Sequence, residues 1–520
     1  MENGYYISAY LSIDPLANLY DISIRHDQTI ALWRVQDKKV ELVRYWELER
    51  KTGLKKHSKS FFSVEQCYHM INILLEEVNL TLDDICEIWG TPGLEKNGRI
   101  THYNEENACP YHTLAHLYSG MLVNSRLHNK EKILAFGLDG GPDNLVDRHA
   151  REKKFYWGCY SDRGKKEFFP VSSPGAYWSF LRIRYKMEEG SLMALGSATG
   201  AYINDMEKYV MSAPDVTDAA EFTVAYNWIE QVSDNVERIT RSEIIDYDER
   251  FSERENRLSI IVKIIQESSK NKLRNIVKKT IERYGINPAD TILTMTGGFA
   301  LNCPTNSYLM NLFGFKEFST CPCVSDSGIA LGIGLYELQE ELGDYEFDLN
   351  NAFHGSEDTF VANVKIEAWG KYIRNIDEFK KDIFVEDLIS GPIIWFDGQA
   401  EIGPRALGAR SILGNPMSLK TKEELNEIKQ RQWWRPVAPI IITGEEDNWF
   451  NNSFYSPYML CTSSVRDEKK ESVPAILHLD DSARIQSFSS NMNPVLYNGL
   501  CSFNNKTGVP IICNTSYLNI

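Results

Sequence analysis

The chain has no apolar run approaching the roughly 20 residues that span a bilayer. Stretches such as Pro436 to Thr443 read instead as buried strands. It has no excess of positive charge: 56 Lys and Arg face 72 Asp and Glu, a formal net charge of −16. That disfavours a surface for nucleic acid, which calls for a basic face. Phosphate-bearing ligands stay open, because a local arginine cluster fits within an acidic protein. The ten cysteines show no pairing pattern, and only Cys321 and Cys323 lie close together. A C-x-C without a second pair is a weak metal signal, so free, mostly buried thiols in a reducing compartment are expected. The N-terminus lacks a basic region followed by an apolar block, since Asp14 and Asp21 interrupt it. No secretion signal and a cytoplasmic location are therefore expected. No repeat with a period of roughly 20–50 residues is visible.

What is present is the makeup of a globular protein: 520 residues, 43% hydrophobic and 25% charged, with 11 Trp, 26 Tyr and 23 Phe to fill cores. A chain of this length exceeds one hydrophobic core, so two or three domains are expected. Tyr5 to Ile13 and Tyr20 to Trp33 read as strands rich in aromatic and branched residues. Phe61 to Leu80 reads as an amphipathic helix. Lys132 to Leu138 reads as a buried strand that stops at the turn Asp139-Gly140-Gly141. Ala219 to Gly285 is helical in pattern. Thr291 to Met295 is another buried strand, followed by Gly297-Gly298 and a helical stretch beyond Asn302. Strands alternating with helices argue for an α/β architecture. From Glu341 to Asn363 the pattern loses periodicity and turns acidic, which predicts a linker. A strand at Pro392 to Phe396 then belongs to a second domain starting near Val364.

Three segments carry chemistry on their residues alone. His112 and His116 follow Pro110, a residue suited to the first turn of a helix. Four residues apart on a helix, two imidazoles share a face and can hold one ion; equally, they are two ordinary helix residues unless a third ligand joins them. Asp326 in VSDSGIALG is a candidate third ligand. In TMTGGFALN, a strand running into paired glycines either makes a plain turn or lets backbone N–H groups approach a phosphate. The third segment is the densest. EIGPRALGARS and IKQRQWWRPVAP place Arg405, Arg410, Lys429, Arg431 and Arg435 in one short stretch of an acidic chain. Arginines set among Gly, Pro and Ala fit a phosphate site better than a solvated basic face. HLDDSARIQ and GVPIICNTS read as strand edges ending in small polar groups.

Together with RHDQTIALW, LMALGSATG, GGFALNCPTN and SPYML, these texts occur in the order found in the carbamoyltransferase family of the tobramycin carbamoyltransferase and nodulation protein U type. The chain resembles that family from near Tyr5 onward, and GPRALG is the most specific match. The resemblance implies an actin-like ATPase domain over residues 1–363 and a YrdC-like domain over residues 364–520. It implies that the second domain makes carbamoyl adenylate from carbamoyl phosphate and ATP with Mg²⁺, and that the first transfers the carbamoyl group to a small-molecule alcohol beside a divalent metal, Fe²⁺ or Zn²⁺. By motif match His112, His116 and Asp326 would be the metal ligands, with His26 and Asp27 in the acceptor site. Asp139, Gly297, Gly298 and Asn302 would hold the adenylate. Arg405, Arg410, Lys429, Arg431, Arg435, Arg484, Asn514 and Ser516 would hold carbamoyl phosphate and the phosphates of ATP.

No nucleic acid and no membrane partner is expected, and a homo-oligomer is left open. Rival readings are a tRNA threonylcarbamoyl-type enzyme, a carbohydrate kinase of actin-like fold and a non-catalytic nucleotide-binding partner protein. The pattern departs from the family in four places. About ten extra residues intervene around Asp14 to Leu19, Tyr111 replaces a first histidine, Asp481 stands where glycine is common, and the text stops at Ile520 where relatives continue. The last departure leads to the expectation of an unpaired sheet edge or open site in the C-terminal domain. Impaired adenylate formation, weaker nucleotide binding or reliance on a partner chain would follow from it.

Overall fold

The computed structural model describes residues 1–96, 108–141, 145–147, 149–357, 370–373 and 378–517. It is a mixed α/β protein with three sheets. In the first, β1 (Gly4–Tyr10), β2 (Thr29–Gln36) and β3 (Lys39–Glu47) form an antiparallel meander, and β4 (Ile85–Trp89) joins parallel to β1. The second sheet repeats this plan. β5 (Lys132–Gly137), β6 (Tyr156–Asp162) and β7 (Lys165–Val171) form the meander, and β8 (Thr291–Thr296) joins parallel to β5. Short β9 (Glu317–Phe318) extends the second sheet beyond β8. The β6–β7 turn places Arg163 and Gly164 at φ 50° and 86°, a geometry that matches the twist of an antiparallel pair. The duplication is one of topology, invisible as sequence periodicity.

Two helices lie between the sheets. Tyr111–Met121 is buried along its whole length, and Ile329–Leu342 is buried from Ile329 to Leu338. Both are closed in on every side, as helices inside a core are. The first follows β4 in the chain yet packs on β5 and β8, while the second follows β9 and packs on β1 and β2. Small residues permit the contact: a Cβ added at Gly332 would stand 1.8 Å from the Ala115 carbonyl oxygen, and one at Gly120 would stand 2.7 Å from Thr294 Oγ1.

The third sheet comprises β10 (Ile393–Phe396), β11 (Arg410–Gly414), β12 (Ala438–Ile442), β13 (Phe450–Asn451), β14 (Cys461–Val465), β15 (Ser482–Phe488) and β16 (Ile511–Ser516), ordered β10-β11-β16-β12-β15-β14-β13. It has its own core around Leu413, Ile440, Phe488 and Phe503. β16 lies between β11 and β12 and pairs with both. The unpaired edge expected near the end of the text is therefore not at this strand. The C-terminal part docks firmly on the rest: Ile402, Trp434, Leu460 and Cys461 belong to the N-terminal core. Asn306 Nδ2 donates to the Leu460 carbonyl at 2.8 Å, and the Thr462 N–H donates to Ser307 Oγ at 2.8 Å.

Two expectations are corrected. Tyr20 to Trp33 is not one strand. Asp14 caps a short helix, Pro15–Tyr20, by accepting from the Ala17 N–H at 2.8 Å, Asp21 ends it at φ 53°, and β2 starts only at Thr29. The stretch after Glu341 is not a loose linker as far as it is described. Tyr345, Phe347 and Leu349 are buried, the Val40 N–H donates to Glu346 O (2.9 Å), and the Ile402 N–H donates to Ala352 O (2.8 Å). It straps the two parts together because its apolar side chains alternate inward. The boundary near Val364 lies outside the described residues. Among the described residues no helix is long and apolar enough to cross a membrane.

The helix contact is testable. Gly332→Ala forces a methyl against the Ala115 carbonyl and is expected to lower stability by about 1–3 kcal/mol, the usual cost of overpacking. Gly190→Ala, in a helix where a Cβ meets nothing within 4 Å, is expected to be neutral or stabilising. Denaturant melts of the two variants check the contrast, and equal midpoints would refute the packing argument.

Candidate active site

The parallel register of β5 and β8 pairs Gly137 with Thr296. Two residues further on, Asp139 and Gly298 stand side by side, and the Gly298 N–H donates to Asp139 Oδ1 at 2.8 Å. The helix Tyr111–Met121 runs beneath, tied to β8 by the Thr296 hydroxyl donating to His116 O at 2.7 Å. Its period points His112 and His116 to one side. The turn Asp326–Gly328, between β9 and the helix Ile329–Leu342, delivers Asp326.

The result is a cluster of His112, His116, Asp139 and Asp326 whose candidate ligand atoms all lie within 4.8 Å of one another. His112 Nε2 is 3.5 Å from Asp139 Oδ2 and 3.6 Å from Asp326 Oδ1, and His116 Nε2 is 3.4 Å from Asp326 Oδ1. Ligands about 2.1 Å from a tetrahedral ion stand about 3.4 Å apart, so the spacing suits one cation. Both ring nitrogens of His116 and Oδ1 of Asp326 are buried without a hydrogen bond among the described residues. Buried polar atoms are normally satisfied, and a cation would satisfy these. Burial alone would raise the Asp139 carboxyl. The hydrogen bond with His112, the charges of His116 and His112 and the Gly298 N–H outweigh that and hold it well below the usual carboxylate range.

His26 and Asp27 stand over this cluster on the loop before β2. His26 Nδ1 is 2.8 Å from Asp27 Oδ2, and Nε2 is 3.6 Å from Asp326 Oδ2. The His26 side chain is half-exposed. The Asp326 charge pushes its imidazole up to about 9, against the opposing effect of burial, with help from the Asp27 hydrogen bond. A cation on Asp326 would cancel that attraction and return the ring toward neutrality. Two buried neighbours hold the loop. Arg25 donates to Leu11 O (2.8 Å) and Gly90 O (3.1 Å), and Gln28 accepts from the Ser12 N–H (2.9 Å) and donates to Lys59 O (2.9 Å). Sequence reasoning missed both, although they flank His26-Asp27 directly in R-H-D-Q. It also placed Asp139 with the adenylate, where the structure sets its carboxylate among the histidines. The signal was an acid at the end of a buried strand.

The glycine loop is shaped by close approach. Gly297 sits at φ 88°, and a Cβ there would fall 2.2 Å from the Leu138 carbonyl oxygen. Its N–H donates to Val324 O at 2.6 Å, and that of Gly298 goes to Asp139. Neither N–H is left for a phosphate. Asn302 is buried, caps the helix Cys303–Phe313 through the Thr305 N–H (3.1 Å) and pairs with Gln266.

Of the predicted phosphate-binding set, the structure gathers Arg405, Arg431, Arg435 and Arg484. Burial, then the charges of Arg405, Arg435 and Arg431, push Arg484 down to about 9. Burial and Arg405 push Arg435 down to about 10, and burial and Arg435 push Arg431 down to about 10. None of the four has a carboxylate at ion-pair distance among the described residues. The Nε atoms of Arg405, Arg435 and Arg484 are buried without a hydrogen bond among the described residues. Such a set is the signature of an anion site. Lys429 stands near, lowered by burial and by Arg431. Arg410 is placed elsewhere: it donates to the carbonyls of Asp397 (3.1 Å), Ala409 (3.0 Å) and Gly398 (2.9 Å) and stacks 3.6 Å from the Phe396 ring centroid. Asn514 is also structural in its placement, donating to Ala406 O at 2.9 Å, and Ser516 ends the same strand.

The turn carrying Arg405 is pinned to the N-terminal part. The Gly403 N–H donates to Glu47 Oε1 at 3.0 Å, and Arg50 donates to Gly403 O at 3.1 Å. Consequently one cavity of about 400 Å³ is lined by His26, Asp27, Asp139 and Asp326 as well as Trp178 and Arg405. Sequence reasoning assigned these groups to two separate domains, and the fold lines a single chamber with them.

A doubled α/β scaffold, a histidine–carboxylate cluster and a chamber that also reaches Arg405 define the site. The comparisons narrow its role. The family described as Carbamoyltransferase C-terminus matches residues 385–520. The chain is 35% identical over 230 residues to the 3'-hydroxymethylcephem-O-carbamoyltransferase of Amycolatopsis lactamdurans, covering 44% of this chain and 43% of that protein. It is 42% identical over 236 residues to Nodulation protein U of Rhizobium tropici, covering 45% of this chain and 40% of that protein. The matched segments thus span less than half the length of these relatives. Among solved structures, component A of the (R)-2-hydroxyglutaryl-CoA dehydratase of Acidaminococcus fermentans covers 65% of this chain and 98% of its own at 13% identity, with a TM-score of 0.35.

The cluster predicts one divalent ion per chain in equilibrium dialysis with Fe²⁺ or Zn²⁺. The double variant His112→Ala, His116→Ala should lose it, and Asp139→Asn should bind it about tenfold or more weakly, an effect in the range of lost second ligands. Full metal retention by the folded double variant refutes the assignment.

Proposed function

We propose that the chain is an ATP-dependent O-carbamoyltransferase acting on a hydroxyl of a small molecule. The single observation that carries this is the chamber reaching from His26 and Asp326 to Arg405, next to the four-arginine cluster. The relatives named O-carbamoyltransferase support the reaction class. The repeated sheet topology supports an actin-like fold for the N-terminal part, and we assign a YrdC-like fold to the C-terminal part.

In this reading the arginines hold carbamoyl phosphate and the phosphates of ATP with Mg²⁺. Water splits carbamoyl phosphate to carbamate and phosphate. A carbamate oxygen then attacks the α-phosphorus of ATP, pyrophosphate leaves, and carbamoyl adenylate results. Guanidinium groups stabilise the charge that develops on the phosphoryl oxygens. The mixed anhydride makes AMP the leaving group, which carbamate alone lacks. The acceptor oxygen attacks the carbamoyl carbon, its proton passes to His26, and AMP departs. Asp27, bonded to His26 Nδ1, fixes the tautomer that leaves Nε2 to take the proton. A divalent ion held by His112, His116 and Asp326, with Asp139 beside them, would supply Lewis acidity at the carbonyl or phosphate. Because one chamber touches both sets of groups, the adenylate need not leave the protein between steps.

The two half-reactions should separate. Arg405→Ala is expected to abolish carbamoyl-phosphate-dependent ATP–pyrophosphate exchange and all product. His26→Ala is expected to keep exchange while product formation falls by roughly 10²-fold or more, the scale for losing a general base. Exchange lost in the His26 variant and kept in the Arg405 variant would overturn the assignment.

A further inference from the structure

The segment SPYML, Ser456 to Leu460, lies between β13 and β14 and joins the two parts of the molecule. On the C-terminal side, the Ser456 N–H donates to Ser487 Oγ at 3.0 Å, and the Ser487 N–H donates to Ser456 O at 2.9 Å. On the N-terminal side, Leu460 O takes the hydrogen bond from Asn306. With β9 and the strap at Asp348, the segment encloses a cavity of about 280 Å³ that shares no described residue with the chamber or the histidine–carboxylate cluster. Val123, Asn124, Leu127 and Ser319 also line a recess of about 10 Å³ that continues inward to Gly120 and Thr294. Such a volume admits one water-sized group.

Strand register fixes what the two spaces offer. β8 and β9 run parallel with Ile292 opposite Glu317 and Leu293 opposite Phe318. Side chains alternate across a strand, so Glu317, Ile292 and Thr294 share one face. The carboxylate at the mouth and the hydroxyl at the base are one diagonal step apart, about 8 Å at Cα by strand spacing. Thr294 is 2% exposed, and its Oγ1 has no hydrogen bond among the described residues. A buried hydroxyl normally has a partner. Gly120 keeps the space before it open, since a Cβ there would stand 2.7 Å from Oγ1. Glu317 has no ion pair among the described residues. Lys316 beside it is 2.7 Å from Glu131 Oε2, and Arg126 is 3.5 Å from Glu346 Oε1. Burial raises the carboxyls of Glu317 and Asp348, against the lowering effects of Lys316 on the first and of Asn124 and Arg126 on the second. A cation between them offsets that cost. Tyr455 stands beside Glu317: burial raises its phenol, and the charges of Glu446 and Glu317 add to it. Tyr458 and Phe318 bring further rings to the wall.

Carboxylates beside aromatic rings suit an organic ammonium group. A hard metal ion calls for six or more oxygen ligands, which rings do not supply. The hydroxyl at the base calls for a small uncharged polar group at the inner end of the same molecule. We propose that this cavity between the two parts binds a short-chain amino alcohol, with its ammonium at Glu317 and Asp348 and its hydroxyl at Thr294. The site stands apart from the carbamoyl-transfer chemistry and does not depend on it.

Titration calorimetry on the full chain, at about 0.15 M salt to screen surface attraction to an acidic protein, tests this with 4-amino-1-butanol, n-butylamine, 1,4-butanediol and Ca²⁺. The amino alcohol is expected to bind most tightly, butylamine about fivefold more weakly, and the diol not measurably. Glu317→Gln should weaken both amines about tenfold. Thr294→Val should weaken the amino alcohol about fivefold and leave butylamine unchanged. Both substitutions are close to isosteric, and each removes a group that is costly to bury, so the variants are expected to fold. Absence of amino-alcohol binding, diol or Ca²⁺ binding as tight as that of the amino alcohol, or amine affinity unmoved by Glu317→Gln overturns the proposal. So does an equal loss of both amines in Thr294→Val, because the hydroxyl would then not be read.

Discussion

Buried polar groups must find partners, and this requirement organises the N-terminal part of the molecule. Both ring nitrogens of His116 and Oδ1 of Asp326 lie in the seam between two sheets without a hydrogen bond among the described residues, a placement that is costly in an apolar interior. The surroundings hold them there. Gly332 and Ala115 let the two central helices touch, Thr296 ties the histidine helix to β8, and the glycine at position 297 brings Asp139 against the cluster. Each of these contacts is spent on positioning donor atoms around a common point.

The second organising contact is the docking of the Gly403-Pro404-Arg405 turn. Glu47 and Arg50, at the end of β3, grip the backbone of Gly403 from both sides. The turn thereby brings a cation of the C-terminal part into a chamber otherwise made by the N-terminal part. Of the remaining arginines, Arg431 is held by Asn426, which accepts from it at 2.6 Å, and Arg435 by Ser191, which accepts from it. Like charges crowded in a partly buried space repel, and an anion relieves that repulsion. The electrostatics of the third sheet thus mirror those of the first two: one cluster asks for a cation, the other for an anion.

Much of the site was legible because its signals are local. The i, i+4 spacing of His112 and His116 needs only a helix to become a shared face. Arginines among glycines stand out against an acidic chain. What the sequence leaves hidden depends on partners far away along the chain. Arg410 looks like Arg405 in the text, but its guanidinium is taken up by backbone carbonyls of the neighbouring turn. The N–H groups of Gly297 and Gly298 look available and are used by Val324 and Asp139. Asp139 reads as a turn residue until the parallel β5–β8 register sets it beside the cluster.

By itself the sequence determined most element types, through hydrophobic period and breakers, though not the helix ending at Tyr20 or the late start of β2, and the chemical inventory of imidazoles, carboxylates and guanidiniums with their local spacing. It did not reveal the doubled sheet plan, because hydrogen-bonded strand order leaves no periodic trace in side chains. Nor did it show that the strap after Glu341 is packed, or that β16 is interior. Only the tertiary structure decided that His26 from before β2, Asp139 from after β5, Asp326 from after β9 and Arg405 from before β11 share one chamber. The physical reason is that such convergence is set by strand order, helix crossover and docking between residues hundreds of positions apart, and none of these is encoded in the spacing of neighbours along the chain.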